Sequence, residues 1–151
     1  MHTFRRTIVL LLAVAVVVCG CSAVGKAPPE LDLEAKQLVP PEGKALVYIV
    51  RPSDFGRSVK FKVTCDGEYI GATGGSRFIY AVLEPGSHLF ISKAENASEL
   101  AIVLEAGKTY YLEQKVQMGL LKARNKLARI EDEEGRKKLE SCVLSNDMGT
   151  Q

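Results

Sequence analysis

Tryptophan is missing from this chain of 151 residues, and histidine occurs only at His2 and His88. The chain has no block of five or six like charges, so the sequence indicates neither nucleic acid nor acidic lipid as a partner. It also lacks GxSxG, P-loop, HExxH and dinucleotide-binding motifs, and no internal repeat is visible. We therefore predict no catalytic residues, no cofactor and no nucleic-acid partner.

The first twenty residues differ in composition from the rest. Arg5 and Arg6 make a short basic start, and residues 7–20 carry no charge. This apolar stretch is shorter than the about 20 residues with which a helix crosses a bilayer. The basic start, the short apolar core and the small residue Gly20 predict a secretory signal peptide over residues 1–20. A short membrane anchor that stays attached is the alternative.

The end of that segment, VCGC, resembles the lipobox of bacterial lipoprotein signal peptides. An aliphatic residue, the small residue Cys19 and a glycine precede Cys21, which occupies the place of the invariant cysteine. The resemblance implies cleavage before Cys21 and attachment of fatty acyl chains, such as palmitate, to that residue. Ser22 at the next position favours the outer membrane over the inner one. Cleavage without lipidation, which would release a soluble secreted domain, is a further alternative.

The spacing of Cys19 and Cys21 would elsewhere suggest metal or redox chemistry. Here the pair lies in a targeting segment, and no histidine or second cysteine pair stands nearby to complete a tetrahedral site. We expect Cys19 to leave with the signal peptide and Cys21 to become the membrane anchor. The sequence therefore predicts no metal site.

Residues 21–43 contain four of the six prolines, namely Pro28, Pro29, Pro40 and Pro41. Proline removes backbone donors and favours extended conformations, so we predict a flexible, lipid-anchored tether. Within it, residues 31–39 do not alternate in polarity and are compatible with a short helix.

Residues 44–145 alternate between apolar and polar side chains with period two. Phe61, Val63 and Cys65 share one face of a predicted half-buried strand. The turn signals Asp66-Gly67 and Pro85-Gly86 follow strand-like runs. These features predict a mainly β domain, an antiparallel β-sandwich of about seven to eight strands.

The C-terminal part has a different pattern. Residues 122–130 fit either a last strand or a basic amphipathic helix, and their place in a hairpin favours the strand. Residues 131–144 begin with acids and continue with bases, which favours a helix, although Gly135 weakens this pattern. Residues 146–151 are predicted to be a flexible tail.

The ordered segments ALVYIVRP (45–52), CDGEYIG (65–71), LEPGSH (83–88) and EAGKTYYL (105–112) resemble a family of bacterial lipoproteins catalogued only as a domain of unknown function. The hairpin portion is also similar to the PEGA type of surface β-domain. Neither family supplies catalytic residues. The resemblance implies a compact β-sandwich in the cell envelope.

Cys65 and Cys142 are the cysteines that remain after processing at Cys21. In an oxidising compartment they would form either a disulfide or two separate buried thiols, and the sequence leaves both open. His88 follows the Pro85-Gly86 turn, and we expect it to make a turn or sheet-surface contact. A ligand-binding or proton-transfer role is its alternative.

Five further residues carry side chains with potential for chemistry. Asp66 is explained by its turn. Tyr110 and Tyr111 should place one ring on each sheet face, one in the core and one as a surface contact. Arg51 and Arg77 are either anion ligands or solvated cations, and the solvated form is the expected one.

Together these features favour a lipid-anchored protein of the bacterial cell envelope, facing the periplasm at the outer membrane. Its β-sandwich would bind or scaffold an envelope protein or peptidoglycan without catalysis. The alternative is a periplasmic enzyme or small-molecule carrier, with a site between the sheet and the C-terminal helix.

Overall fold

The computed structural model describes residues 24–121 and 123–149. The predicted signal peptide, residues 1–20, and the predicted lipidation site Cys21 lie outside the described residues. None of the described helices is long and apolar enough to cross a membrane. The elements follow one another as α1 (Pro29–Lys36), β1 (Ala45–Arg51), β2 (Phe61–Cys65), β3 (Glu68–Thr73), β4 (Arg77–Leu83), β5 (Gly86–Lys93), β6 (Ala97–Leu104), β7 (Thr109–Gln117), β8 (Arg124–Ile130), α2 (Asp132–Glu140) and β9 (Val143–Leu144).

The strands form two sheets, which confirms the predicted mainly β sandwich. The larger sheet has the order β8-β7-β1-β4-β9, and the smaller has the order β3-β2-β5-β6. The hairpins β2–β3, β5–β6 and β7–β8 are antiparallel. However, β1 runs parallel to β7, and β4 runs parallel to β9. The larger sheet is therefore mixed. The sequence could not reveal its parallel pairs, because the paired strands are distant in the chain and no turn joins them directly.

The main core lies between the two sheets. Phe61, Val63 and Cys65 of β2 are buried, as their alternation predicts, and Val63 and Cys65 belong to this core. The larger sheet contributes Val47 and Ile49 from β1. Other members of this inter-sheet core are Ala45, Ile70, Ile79, Ala81, Phe90, Ile102, Leu104, Tyr110, Leu112 and Leu127.

A second apolar cluster lies on the outer face of the larger sheet, beneath both helices. It includes Tyr48, Tyr111, Leu139 and Cys142. Helix α2 approaches the sheet most closely at Gly135, where an added β-carbon would lie 2.1 Å from Cγ of Tyr111. The glycine that weakens the helical pattern is thus required by packing. Because both faces of the larger sheet are covered, all seven residues of β1 are buried.

The described part of the predicted tether, residues 24–43, is packed against the sandwich rather than extended away from it. The amide of Ala27 donates to the Leu144 carbonyl (2.9 Å), and the Leu144 amide donates to Oδ1 of Asp32 (2.7 Å). The Tyr48 hydroxyl donates to the Ala35 carbonyl in α1 (2.5 Å). Helix α1 confirms the short helix. Distant residues thus supply the hydrogen-bond partners that proline cannot offer locally, and the flexibility of the tether stays a prediction.

The C-terminal predictions have mixed outcomes. Strand β8 confirms the choice of a strand, and α2 confirms the helix, although the helix ends at Glu140 because β9 follows. Residues 146–149 of the predicted flexible tail contact the sandwich, and their flexibility stays a prediction. Their backbone pairs with β3, since the Gly149 amide donates to the Ile70 carbonyl (2.6 Å) and the Ala72 amide to the Asp147 carbonyl (2.8 Å).

The sandwich has two ends, which we call the Val24 end and the His88 end. The Val24 end carries the loops 52–60, 74–76 and 94–96 and the β7–β8 connection, whose described residues are 118–121 and 123. The His88 end carries the turns at 66–67, 84–85 and 105–108. Val24 belongs to the first end, because a β-carbon placed on Gly74 would lie 3.4 Å from Cβ of Val24. The seven residues of β1 separate the two ends by about 20 Å.

Candidate functional site

The Asp66-Gly67 turn is joined to strand β5 at the His88 end. Asp66 has a positive φ of 51° and Gly67 one of 90°, as the predicted two-residue hairpin requires. The Asp66 amide donates to the Leu89 carbonyl (2.9 Å), and the Leu89 amide donates to Oδ1 of Asp66 (2.8 Å). This exchange fixes the Asp66 carboxylate beside the inward-facing side chains of β5.

His88 links that carboxylate to a third segment. Its Nδ1 lies 2.7 Å from Oδ2 of Asp66, and its Nε2 lies 2.9 Å from the Glu84 carbonyl oxygen. The bonds from the Leu89 amide and from His88 lower the pKa of Asp66, so this carboxyl is ionised near neutral pH. A carbonyl and a carboxylate can only accept hydrogen bonds, so both ring nitrogens donate when His88 is an imidazolium.

Cys65 completes the cluster from the buried side. Its Sγ lies 3.7 Å from both Oδ2 of Asp66 and Nδ1 of His88. Burial and the nearby Asp66 carboxylate raise the pKa of Cys65 to about 12. The sulfur is therefore a thiol that donates to the carboxylate, and it is poorly suited to act as a nucleophile.

The ligand atoms of Cys65, Asp66 and His88 all lie within 4.8 Å of one another, so the three could in principle hold a metal ion. In the observed arrangement Nδ1 is bonded to Asp66 and the thiol is protonated, whereas a metal needs both atoms deprotonated. The cluster as it stands joins three segments of the chain through hydrogen bonds. The absence of a metal role stays a prediction.

His88 makes the predicted turn contact, but its side chain is on the inner face of β5 rather than on the sheet surface. This inner face carries the buried Phe90 and Ser92, and Leu89 and Ile91 are on the opposite face. The side chain of His88 is only 12% exposed. The sequence is ambiguous because Leu89, Phe90 and Ile91 follow one another, so alternation alone does not decide which face is buried.

A hollow of about 230 Å³ opens beside the cluster, between the β2–β3 hairpin and the end of β4. Tyr69 and Val82 at its rim are 39% and 38% exposed. Asp66 and Glu68 make its wall partly acidic. The full set of lining residues is Cys65, Asp66, Glu68, Tyr69, Ile70, Ala81, Val82 and Leu83. Apolar walls with a few fixed polar groups are typical of binding sites.

Cys65 and Cys142 are both free and buried, so the disulfide is not formed in this structure. Cys65 belongs to the inter-sheet core, whereas Cys142 belongs to the cluster under the helices, on the other side of the larger sheet. They also lie at opposite ends, because Val143, next to Cys142, pairs with Arg77 at the Val24 end. The even number of cysteines left after processing could suggest a disulfide, but the sequence could not show that the two residues lie far apart.

Arg51 is fully buried at the Val24 end and is neither an anion ligand nor a solvated cation. Its guanidinium lies 3.8 Å from the centre of the Phe61 ring. Burial lowers its pKa to about 10, which still leaves it charged at neutral pH. It donates to four carbonyl oxygens, those of Phe55, Gly56, Val59 and Thr73. Arg51 therefore holds the loop 52–60 against the sandwich.

Arg77 performs a similar task for the N-terminal segment. It donates to the carbonyl oxygens of Gly25 (3.2 Å), Gly75 (3.1 Å) and Ser76 (3.0 Å). Tyr110 and Tyr111 lie on opposite faces as predicted, but both are buried, at 3% and 5% exposure. The expected surface tyrosine is absent from this pair because α2 covers Tyr111.

Sequence reasoning missed one polar group of the core. Gln114 accepts a hydrogen bond from the Thr73 hydroxyl and donates to Oγ of Ser92 (2.8 Å), and all three residues are fully buried. Gln114 occupies an inward position of β7, so period two could have flagged it. Its partners lie in other strands and could not be read from the sequence.

These features define a β-sandwich with a helical layer and a hydrogen-bonded cluster beside an open hollow. Residues 41–126 match the family described as "Protein of unknown function (DUF2846)". An uncharacterized protein of Haemophilus influenzae is 30% identical over 137 residues, covering 89% of this chain and 82% of the relative. The chain belongs to this family of unknown function, which confirms the family part of the sequence resemblance.

Proposed function

We propose that this protein is a lipoprotein, anchored through Cys21 to a bacterial membrane, that binds an envelope partner without catalysis. The single observation that carries the proposal is the place of Val24. Only two residues separate Val24 from Cys21, and a chain step of this length spans at most about 11 Å. An acylated Cys21 would hold the Val24 end close to the bilayer and turn the His88 end away from it.

The His88 end has the features expected of a surface that receives a partner. Its hollow is lined by apolar side chains next to the fixed carboxylate of Asp66 and the carboxylate of Glu68. His88 and Asp66 hold the turns around the hollow, so little conformational entropy would be lost when a partner binds. The engaged nitrogens of His88 and the protonated thiol of Cys65 favour a binding role over acid–base or nucleophilic catalysis.

Fatty-acid labelling in cells tests the anchor. We expect the wild-type chain to incorporate label, and Cys21→Ser to abolish it. Cys19→Ser is the matched control and should retain the label, because Cys19 is removed with the signal peptide. Wild-type protein without label, or a labelled Cys21→Ser protein, would contradict the lipid anchor.

Photo-crosslinking in cells tests the partner. A crosslinking amino acid at Glu68 faces the hollow, whereas one at Glu133 lies on the exposed side of α2. We expect a discrete crosslinked band, with an envelope protein or peptidoglycan, from position 68 and not from position 133. Equal yields from both positions, or none from position 68, would reject the hollow as the binding surface.

A second candidate function, a small-molecule carrier, is favoured by one observation. A polar hollow of about 450 Å³ lies where the ends of β7 and β8 meet α2, and Lys108, Arg129 and Arg136 contribute cationic groups to it. Such a site would suit a small anion. Thermal denaturation with increasing inorganic phosphate tests this, since a specific site raises Tm in wild type and not in Arg136→Gln.

A further inference from the structure

Four large apolar side chains are exposed together at the Val24 end. Leu120 is 95% exposed, Leu121 93%, Met118 83% and Phe55 55%. We call these four residues the apolar tip. They line one side of a shallow hollow of about 310 Å³. Turns between strands usually carry polar or small residues, so a cluster of this kind marks a contact surface rather than a chance feature.

Polar contacts hold the backbone of the tip in place. The amides of Leu120 and Leu121 donate to the two carboxylate oxygens of Glu95, at 3.1 Å and 2.9 Å. Behind them, Asn96 and Asn125 exchange two hydrogen bonds of 2.8 Å between side chain and backbone. Because Glu95 and Asn96 accept the hydrogen bonds of these backbone amides, the amides do not have to face solvent. The leucine side chains are presented to the surroundings instead.

Basic side chains stand directly behind the tip. Lys115 on β7 and Lys126 on β8 are exposed and occupy directly opposed positions in the antiparallel register. Like charges in this arrangement destabilise a pair of strands, and the Glu113 carboxylate, 3.9 Å from Nζ of Lys115, offsets only one of the two charges. Arg124, opposite Gln117, adds a third exposed cation nearer to the tip. An anionic surface beside the hairpin would relieve this repulsion, and apolar residues ahead of basic ones match the order of hydrocarbon and phosphate in a bilayer.

Val24, the first residue that the structure describes, lies at the same end of the molecule as the tip. Val24 adjoins Gly74, and a β-carbon on Gly74 would lie 3.0 Å from the Arg57 carbonyl oxygen in the loop that also carries Phe55. In the same loop, a β-carbon on Gly56 would lie 2.7 Å from Cβ of Ala123, beside the tip. An anchor on Cys21, about 11 Å or less from Val24, would therefore bring the tip to the bilayer surface.

We propose that the apolar tip inserts into the same bilayer that carries the acyl chains of Cys21. This step rests on the proposed lipid anchor and adds a second attachment point to it. One flexible attachment leaves a domain free to tilt and rotate. Two attachments at one end fix its orientation and keep the His88 end directed away from the membrane. Leu120 and Leu121 would enter the hydrocarbon boundary, and Lys115, Arg124 and Lys126 would contact lipid phosphates.

The absence of tryptophan makes a direct test available. Leu120→Trp places a single fluorophore in the tip, and Val103→Trp places one at an exposed apolar position (65%) near the His88 end as the matched control. The full chain is produced with its own signal sequence. It is purified from membranes and incorporated into vesicles of phosphatidylcholine and phosphatidylglycerol with brominated acyl chains.

We expect brominated lipid to quench the Leu120→Trp variant at least about threefold more than the Val103→Trp variant, with a blue-shifted emission. Adding Leu121→Asp should lower the equilibrium constant for membrane insertion by at least about tenfold, because a fully buried leucine contributes at least that factor. Replacing both Lys115 and Lys126 with Gln should weaken membrane insertion. The effect should be larger in vesicles rich in phosphatidylglycerol than in vesicles of phosphatidylcholine alone. Each loss supports insertion of the tip.

Two fluorescence outcomes would overturn the insertion of the tip. Equal, weak quenching of both variants means that the tip does not enter the bilayer. A blue-shifted Leu120→Trp emission without quenching means that protein, such as a second copy of the chain, covers the tip. Intact mass of the same sample separates the two proposals. Lipid on Cys21 without quenching rejects only the tip, whereas quenching without lipid on Cys21 supports the tip and rejects the anchor.

Discussion

The Val24 end and the His88 end of the sandwich are stabilised by different kinds of contact. At the Val24 end the buried cation of Arg51 holds its loop from inside, and large apolar side chains remain outside. At the His88 end the exposed carboxylate of Asp66 and the largely buried imidazole of His88 join the turns at 66–67 and 84–85, and apolar residues line a hollow. The Val24 end is therefore suited to contact with an apolar phase. The His88 end is suited to a partner that contacts charged and apolar groups together.

The largest effect we expect concerns the two thiols, one near each end. Burial raises the pKa of Cys65 to about 12 and that of Cys142 to about 11, and both residues are buried. Alkylation of the native protein should be slower by at least about a thousandfold than in denaturant, since it requires opening of the fold. Both thiols should be alkylated in denaturant without reductant. A reductant requirement would show that they are bonded.

Removing Arg51 should be the most damaging single substitution at either end. Arg51→Ala deletes a fully buried side chain together with its hydrogen bonds to four carbonyl oxygens. We expect the free energy of unfolding to fall by more than about 3 kcal/mol. Arg57→Ala, at an exposed arginine of the same loop, is the control and should change it by less than about 0.5 kcal/mol. Similar values for both in urea unfolding would refute the structural role of Arg51.

The His88 end should tolerate change better. Asp66→Ala loses the acceptor for the Leu89 amide and the His88 bond, and alanine fits the positive φ poorly. Because these groups are partly exposed, we expect a loss of about 1–2 kcal/mol in urea unfolding. Asp66→Asn keeps an acceptor and tolerates that φ, so it should lose clearly less. A larger loss from asparagine would mean that the negative charge matters most.

Acid should weaken the same contact. The folded pKa of Asp66 lies below its ordinary value of 3.8, so the stability that its charge contributes is present above pH 3.8 and is lost as pH falls through the folded pKa. The difference in unfolding free energy between wild type and Asp66→Asn should therefore shrink as pH is lowered from about 6 to about 3. A difference that is constant over this range would exclude Asp66 as the titrating group.

The apolar tip should contribute least to folding. Leu120→Ser changes a side chain that is 95% exposed, so we expect the unfolding free energy in the absence of lipid to shift by at most about 0.5 kcal/mol. Val103→Ser, at an exposed apolar position of β6, is the matched control. A loss above about 2 kcal/mol for Leu120→Ser alone would show that the leucine serves the fold rather than an external surface.

The sequence predicted the fold far better than the candidate site. Side-chain alternation and turn residues predicted the β-sandwich, and the Asp66-Gly67 turn lies between β2 and β3 as expected. The cluster was not predicted, although Cys65, Asp66 and His88 were each considered. They are brought together by pairing of β2 with β5, and nothing local specifies that pairing. The buried state of Arg51 was missed for the same reason, since its partners come from a loop and from β3.

The sequence by itself determined which segments become strands, where the chain turns, and the resemblance of its N-terminus to a lipoprotein leader. These properties follow from local rules, because side-chain alternation and backbone dihedral preferences act over a few residues. Only the tertiary structure decided that residues 24–43 pack onto the sandwich, that Cys65 and Cys142 are separated, and that Val24 and the apolar tip share one end. These facts depend on contacts between residues far apart in the chain, whose positions are set by the packing of the whole domain.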